Sequence, residues 1–379
     1  MRLRSETELV SLRHRLHAAP ELSGTEENTA RMLRDTLQAT APDRIVEGLG
    51  GHGLALVYDS GIPGPSVMFR AELDALPIAD ESHAPHASTR PGIGHLCGHD
   101  GHMTILSGLA QYLGQERPKH GRVILLFQPA EETGAGARAV LADPRFETLR
   151  PDWAFALHNM PGLGLGQIAV APGPASCASV GLHLRWQGRE AHAGSPESGI
   201  SPVPALVSLM ATLAPFTTPA PITEKFLLAT LCHLSMGARA FGIAPGQAEA
   251  FVTLRAVTDA QLTAFESEIV QQLQTDVGAL HLEFTQHDHF NATINAPEAS
   301  ALVSRAAQTL GVTEGSFALP MRASEDFGAF SATTRCALFF LGAGEDHPAL
   351  HDPTYDFPDA LIAPGVALFR QILAEAMAG

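Results

Sequence analysis

The chain has 379 residues, 45% hydrophobic and 17% charged, with 24 Lys plus Arg against 40 Asp plus Glu and a formal charge of −16. This balance excludes a disordered chain and describes a globular protein of two or three domains with a sizeable core. With a strong acidic excess and no basic cluster, it argues against nucleic acid and anionic membrane surfaces as partners.

In chain order, helical patterns cover Glu6–His17 and Glu26–Gln38, the first stopped near Pro20. Strand patterns follow at Leu54–Ser60 and Ser66–Glu72, then a helix from Asp100 to about Glu116, the strand Arg122–Ala130, a helix near Ala135–Leu141 and the strand Asp152–His158. Apolar strands separated by helices predict an α/β architecture, with a mostly parallel sheet covered by helices on both faces.

After the Gly/Pro-rich stretch PGLGLGQIAVAPGPAS the pattern changes. From about Ser179 the stretch SVGLHLRWQG alternates like a strand with one solvated face. A helix (Pro202–Ala214), strands at Lys225–Ser235 and Ala248–Val257, a helix (Asp259–Val277) and a strand (His281–Gln286) follow. This β-α-β-β-α-β order predicts a ferredoxin-like α+β unit. A helix from Glu298, the strand CALFFLGAG and a last helix from Asp359 return to the first style. The expected organisation is a first catalytic segment over residues 1–178, an inserted domain over 179–290, and a second catalytic segment over 291–379.

Cysteines at 97, 177, 232 and 336 form no C-x-x-C pair and no small-domain disulfide pattern. The first residues lack the uninterrupted apolar stretch of a signal peptide, and the longest apolar runs, VILLF and ALFFL, are strand-sized. The expectation is a cytoplasmic protein with no membrane span.

The stretch HLCGHDGH, His95 to His102, is poor core material. Cys97 and His99 lie where a loop enters a helix, Glu131 and Glu132 directly follow a strand, His158 ends one, and His351 precedes the final helix. Taken singly, a C-x-H pair or two adjacent glutamates carry little weight, since buried Cys and solvated Glu are common. Their coincidence at strand ends, where open α/β sheets build their sites, points to a shared transition-metal centre. One of the two glutamates would bind metal while the other takes a proton, the division of labour that hydrolysis by a metal-activated water requires. Asp74, in RAELDALP, would orient a ligand histidine or merely cap a turn. A rival reading makes Cys97 a nucleophile with His99 or His102 as base. It leaves Glu131, Glu132, His158 and His351 idle.

These motifs, together with LRHRLHAAPELSGTEENTA, LFQPAEETGAGA, ALHNMPGLGLG, GREAHAGSPESGISP, SEDFGAF and LHDPTYDF, resemble the zinc-type metallopeptidases and aminoacylases. The likeness is to their amidohydrolase branch, which contains hippurate hydrolases and indole-acetyl-amino-acid hydrolases, and it spans essentially the whole chain. It implies that Cys97, His99, Glu132, His158 and His351 hold two divalent ions, zinc or manganese first and cobalt or nickel next. It implies Glu131 as general acid/base, and His192 as an oxyanion-stabilising residue that reaches the partner's site in a homodimer formed through the inserted domain. The activity implied is hydrolysis of the amide of an N-acyl amino acid or related small conjugate. The alternatives are a dipeptidase or carboxypeptidase of the same fold, or a catalytically silent ligand-binding homologue. Three departures bear on substrate. Gly242 stands where the family usually has an asparagine near the substrate's carboxylate end, Asn295 lacks the prolines often found before it, and Glu72 replaces the commoner Asp. Ser324, Glu325 and Asp326 fit the family's loop near the substrate and read equally well as a helix cap.

Overall fold

The computed structural model describes residues 5–218 and 221–378. The chain divides into two compact units. The larger comprises residues up to Ala175, Thr293–Leu319 and the chain from Glu325 onward; the smaller, Ser176–Ala292 with Pro320–Ser324, is inserted between its segments.

The larger unit is built on a seven-stranded sheet. Its strands are β1 (Arg44–Leu49), β2 (Gly53–Asp59), β3 (Ser66–Glu72), β4 (Arg122–Gln128), β5 (Trp153–Pro161), β6 (Ile168–Ala169) and, far along the chain, Arg335–Gly344. The order is β1-β2-β4-β3-β5, then Arg335–Gly344, then β6. The expectation of a mostly parallel sheet needs correcting, because the sheet is mixed. β4, β3, β5 and Arg335–Gly344 run parallel, whereas β1 pairs with β2, β2 with β4, and β6 with Arg335–Gly344 in antiparallel sense. The physical reason is connection length: β1 returns directly into β2 as a hairpin, which a parallel pair with its long crossover could not do. Strand β1 itself escapes sequence reading because it buries only Val46 and Leu49. The central strands are apolar runs buried on both faces, and being parallel they deliver their carboxyl ends to one edge.

Helices α1 (Glu6–Ala18), α2 (Glu27–Leu37), α3 (His99–Gln115) and two late helices, Pro297–Leu310 and Ile362–Ala378, share one core with Phe69, Leu125, Phe155, Leu157 and Phe339 of the sheet. Helix α4 (Gly136–Ala142) lies between β4 and β5 in the chain. The segment Asp359–Ala378 is long and apolar enough to cross a bilayer by length and composition. Its Ile362, Leu368, Phe369, Ile372 and Leu373 are instead buried in the core.

Short strands β7 (Gly173–Ser176) and β14 (Thr293–Asn295) flank the insertion. Between them come β8 (Ala178–Gln187), β9 (Ala191–His192), β10 (Leu227–Met236), β11 (Ile243–Ala244), β12 (Gln247–Ala256) and β13 (His281–Phe290), with helices α5 (Val203–Leu213) and α6 (Asp259–Thr275). Arg335–Gly344 is thus β15, Pro297–Leu310 is α7 and Ile362–Ala378 is α8. Strands β10-β12-β8-β13 form an antiparallel sheet, and β9 pairs with β11 as a separate ribbon. Along β8, Val180, Leu182, Leu184 and Trp186 point inward to Leu206 and Leu209 of α5 and Phe265 and Ile269 of α6. The intervening Gly181, His183 and Arg185 are more open, the period-two signature of a half-buried strand.

Candidate active site

The carboxyl ends of β3, β4 and β5 and the first residue of α3 converge at one place in the larger unit. Helix α3 starts at His99 itself, one residue earlier than the pattern suggests. Before it stands Gly98 at φ +86, where a Cβ would lie 2.3 Å from the Asn159 side-chain oxygen. Only glycine therefore lets the chain turn between Cys97 and His99. Ala130, just before the glutamate pair, and His351 hold left-handed backbones as well, at φ +52 and +67. Such strain in non-glycine residues collects at functional sites when the surroundings fix it. For His351, a main-chain N–H bond of 2.8 Å to the Leu96 carbonyl does so. His158 is not the last residue of its strand, since β5 continues to Pro161.

All five expected ligands and Glu131 meet here. The donor atoms of Cys97, His99 and His158 lie within 4.8 Å of one another, as do those of Cys97, Glu132 and His351, and those of His99, Glu131 and Glu132. Cys97 Sγ is 3.5 Å from His158 Nε2, and His351 Nε2 is 3.7 Å from Glu132 Oε2. The tautomers are set from behind. His99 donates from Nδ1 to the Asp74 carbonyl at 2.9 Å, and His158 donates from Nδ1 to the Asn159 carbonyl at 2.8 Å. In the neutral ring each Nε2 then keeps its lone pair facing the cluster.

This donor set fits a pair of divalent cations. His99 Nε2 and Glu132 Oε1 are buried and have no hydrogen-bond partner, a costly state for polar atoms that a bound cation relieves. Burial, reinforced by the neighbouring carboxylates, pushes the Cys97 thiol and the Glu131 carboxyl well up. Glu132 is raised to about 7, burial again leading. Thiolate and two carboxylates share this space as anions only when cations sit among them.

Asp74 works through two atoms besides its carbonyl. Its Oδ2 accepts the Glu132 N–H at 2.9 Å and the Ser23 hydroxyl at 2.7 Å, while Oδ1 is 3.7 Å from His99 Nδ1.

Residues 68–375 match the model of Peptidase family M20/M25/M40. The chain belongs to this family. Over 369 residues it is 30% identical to the hippurate hydrolase of Campylobacter jejuni, covering 96% of this chain and 95% of that protein. It is 27% identical over 387 residues to an N-acetyldiaminopimelate deacetylase of Lactobacillus helveticus, covering both chains fully. The crystal structure of the YXEP protein of Bacillus subtilis, a dinuclear metal-binding peptidase from the M20 family, superposes with a TM-score of 0.83 at 25% identity, covering 98% of each chain. With the ligand cluster, this makes the M20 chain a binuclear, metal-dependent amidohydrolase or peptidase.

Around the centre lie residues the motifs did not reveal. Arg70, fully buried on β3, contacts Glu72 and binds Glu325 at 2.8 Å and Asp326 at 2.5 Å. Gln128 and the Ala137 N–H also bond Asp326, each at 2.8 Å. Glu325 is therefore a cap and more, while Asp326, the first residue of the short helix, serves Arg70 and Gln128 instead. Glu325 accepts the Phe327 N–H at 3.1 Å, yet both carboxylates are tied to a guanidinium inside the sheet. Nothing in the hydrophobic pattern of SVMFRAE singles out its arginine.

His17, His86 and Asp356 form a further group with ligand-like spacing. His17 is already held between Asp100 at 2.9 Å and Asp80 at 3.1 Å, and the Arg13 guanidinium lies 2.6 Å from His86 Nε2. A resident cation of the protein's own, Arg13, fills the place of a metal.

His192 belongs to the smaller unit, on the β9–β11 ribbon opposite Ile243. Its Nδ1 accepts the Gly194 N–H at 3.0 Å, which leaves the ring proton of the neutral tautomer on Nε2. Gly242 supplies a carbonyl to the Ala193 N–H at 3.0 Å, and a side chain there would meet open space.

Proposed function

We propose that this M20 enzyme hydrolyses the amide bond of N-acyl amino acids or related small conjugates, with Cys97, His99, Glu132, His158 and His351 as ligands of two divalent cations and Glu131 as general acid/base. The observation that carries the reading is the divergence of two adjacent glutamates. Both come near His99 Nε2, Glu131 through Oε2 at 3.8 Å and Glu132 through Oε1 at 3.9 Å, but Glu132 also has the spacing to share a cation with Cys97 and His351, which leaves Glu131 for the proton.

Bound divalent cations supply Lewis acidity, polarising the scissile carbonyl and making water acidic enough to attack near neutral pH. Glu131 takes the proton of the attacking water on a carboxylate oxygen and passes it to the departing nitrogen. Asp74 holds His99 and the Glu132 main chain in place for this. His192, with Nε2–H free, donates to the oxyanion that forms as the carbonyl becomes tetrahedral. Its place in the smaller unit suits action on a partner subunit.

The smaller unit, taken as 179–290, reads as a ferredoxin-like domain. Its chain order is β8-α5-β10-β12-α6-β13, and its outer strands in the sheet are β10 and β13. Helix α5 exposes Val203, Val207 and Met210 on one stripe, which suits a homodimer formed through this domain. The relatives named for hippurate and N-acetyldiaminopimelate support an acylated amino acid as substrate.

The test is Glu131→Gln. It removes proton transfer alone, so kcat should fall by roughly 10²–10⁴ while two equivalents of manganese or zinc still bind. Turnover near wild type, on a mixed panel of acyl amino acids and dipeptides, would remove Glu131 from its role. Hydrolysis by neither protein with any divalent ion would remove the reading itself.

A further inference from the structure

The motif HLCGHDGH contains three histidines, and all are buried. His99 is a proposed ligand. His95 makes no side-chain hydrogen bond, and burial lowers it to about 3, so it is a neutral core residue. His102 is different from both. It lies one turn after His99 on α3, with its ring 5.6 Å from that of His99 and 4.9 Å from that of His158.

His102, His99 and Glu72 have the spacing of a cation site of their own. Both His102 nitrogens are nevertheless committed. Nδ1 meets Glu72 Oε2 at 2.6 Å, and Nε2 accepts the main-chain N–H of Asn159 at 3.1 Å. Asn159 Oδ1 lies closer still to the same nitrogen and accepts from it when Nε2 carries a proton, and the Asn159 side-chain N–H donates to the Tyr355 hydroxyl. Glu72 is in turn clamped by Arg70.

Residue 159 is the junction of this chain of contacts. Its carbonyl fixes the His158 tautomer, and its side chain fills the space under Gly98 that separates Cys97 from His99. A shift of Asn159 would therefore move His158 directly and the Cys97–His99 turn by contact.

We propose that His102 is a positioning residue: anchored on Glu72, it grips Asn159 and so holds Cys97, His99 and His158 in the pose that shares a cation, without being a ligand itself. This rests on the reading of those three residues as ligands.

The experiment measures manganese and zinc affinity by chelator competition on the full-length protein. His102→Ala should bind the same number of ions with affinity weakened roughly 10–100-fold, as loss of a partner behind the ligands does. His102→Asn, which can reach Glu72 but not Asn159, should stay weak. His102→Gln, which extends an amide towards Asn159, should recover part of the loss. Leu106→Ala, a buried substitution further along α3, controls for destabilisation and should lower Tm while leaving affinity near wild type. Unchanged affinity in His102→Ala overturns the proposal, as does an equal loss in Leu106→Ala at matched Tm. Loss of one whole ion would make His102 a ligand and overturn it too. If Cys97→Ala and His158→Ala abolish binding while His102→Ala does not, only the positioning role fails. If the wild-type protein binds neither ion, the ligand assignment fails first.

Discussion

The main-chain N–H of Glu132 donates to Asp74 Oδ2 at 2.9 Å, and the carbonyl of the same Asp74 accepts from His99 Nδ1 at 2.9 Å. One residue just past β3 thus fixes the main chain of a glutamate just past β4 and an imidazole from α3. The two links are chemically separate, since one uses the side chain and the other the backbone. Asp74→Ala keeps the His99 tautomer and orphans the Glu132 N–H. Stability should fall by about 1–3 kcal/mol. In a stepwise metal titration, the ion assigned to Glu132 and His351 under the proposed ligand set should weaken roughly 10–100-fold while the other changes little. Equal weakening of both ions would show that the carboxylate also serves His99, from which its Oδ1 is 3.7 Å away.

Gly98 offers a second, purely steric test. A Cβ there requires φ +86 of an L-residue and meets the Asn159 side chain at 2.3 Å. Gly98→Ala should cost about 1–2 kcal/mol for the backbone alone, with the displacement of Asn159 added. Since Asn159 also bonds His158 and His102, metal affinity should fall together with Tm. A variant of wild-type affinity would mean the turn has another way to relax.

Much of this was legible in the sequence because the site is written in chemically unusual residues. Cys97, His99, Glu131, Glu132, His158 and His351 stand out from ordinary strand ends, and they do converge. The apolar runs of β3, β4, β5 and β15 were equally plain, since a strand buried on both faces leaves no polar interruption to misread. The antiparallel edges were not plain, because strand direction depends on how the chain returns, not on side-chain pattern. Nor could Arg70 and Glu325 be paired from sequence. They are 255 positions apart, and a charge inside an apolar strand carries no label for its partner. HLCGHDGH shows the same limit at close range. Its three histidines look alike, and only packing makes one a neutral core residue, one a ligand candidate and one a link to Asn159.

His17 supplies a pH-dependent prediction away from the cations. Burial lowers its affinity for a proton, but Asp100 outweighs this and holds the imidazole above its ordinary value near 6.5. A raised folded value means stability that is fully present below about 6.5 and is lost as pH rises through that folded value. Removing one partner from a buried ion pair costs roughly 3–5 kcal/mol. His17→Gln should therefore be least stable relative to wild type in mildly acidic solution, and the gap should narrow at alkaline pH. Urea melts across this range check it; a gap that widens with pH would show that His17 is neutral in the folded protein.

His192 carries the test of shared sites. Its Nδ1 is occupied by the Gly194 N–H at 3.0 Å, so only Nε2–H remains to stabilise an oxyanion. Removing one such donor costs about 10²–10³ in kcat, and His192→Ala should lose that much while metal binding stays intact. Glutamine, which presents an N–H in a similar place, should recover part of the loss. If the donor acts across a dimer, a second variant locates it. Mixed with Glu131→Gln, the His192→Ala protein should regain activity, because half of the sites in a hybrid dimer combine an intact Glu131 with an intact His192 from the neighbour. Activity that stays at the level of the two parents after subunit exchange has been verified would place His192 in its own subunit's reaction, or outside the reaction altogether, and the unaltered metal stoichiometry would leave the ligand assignment standing.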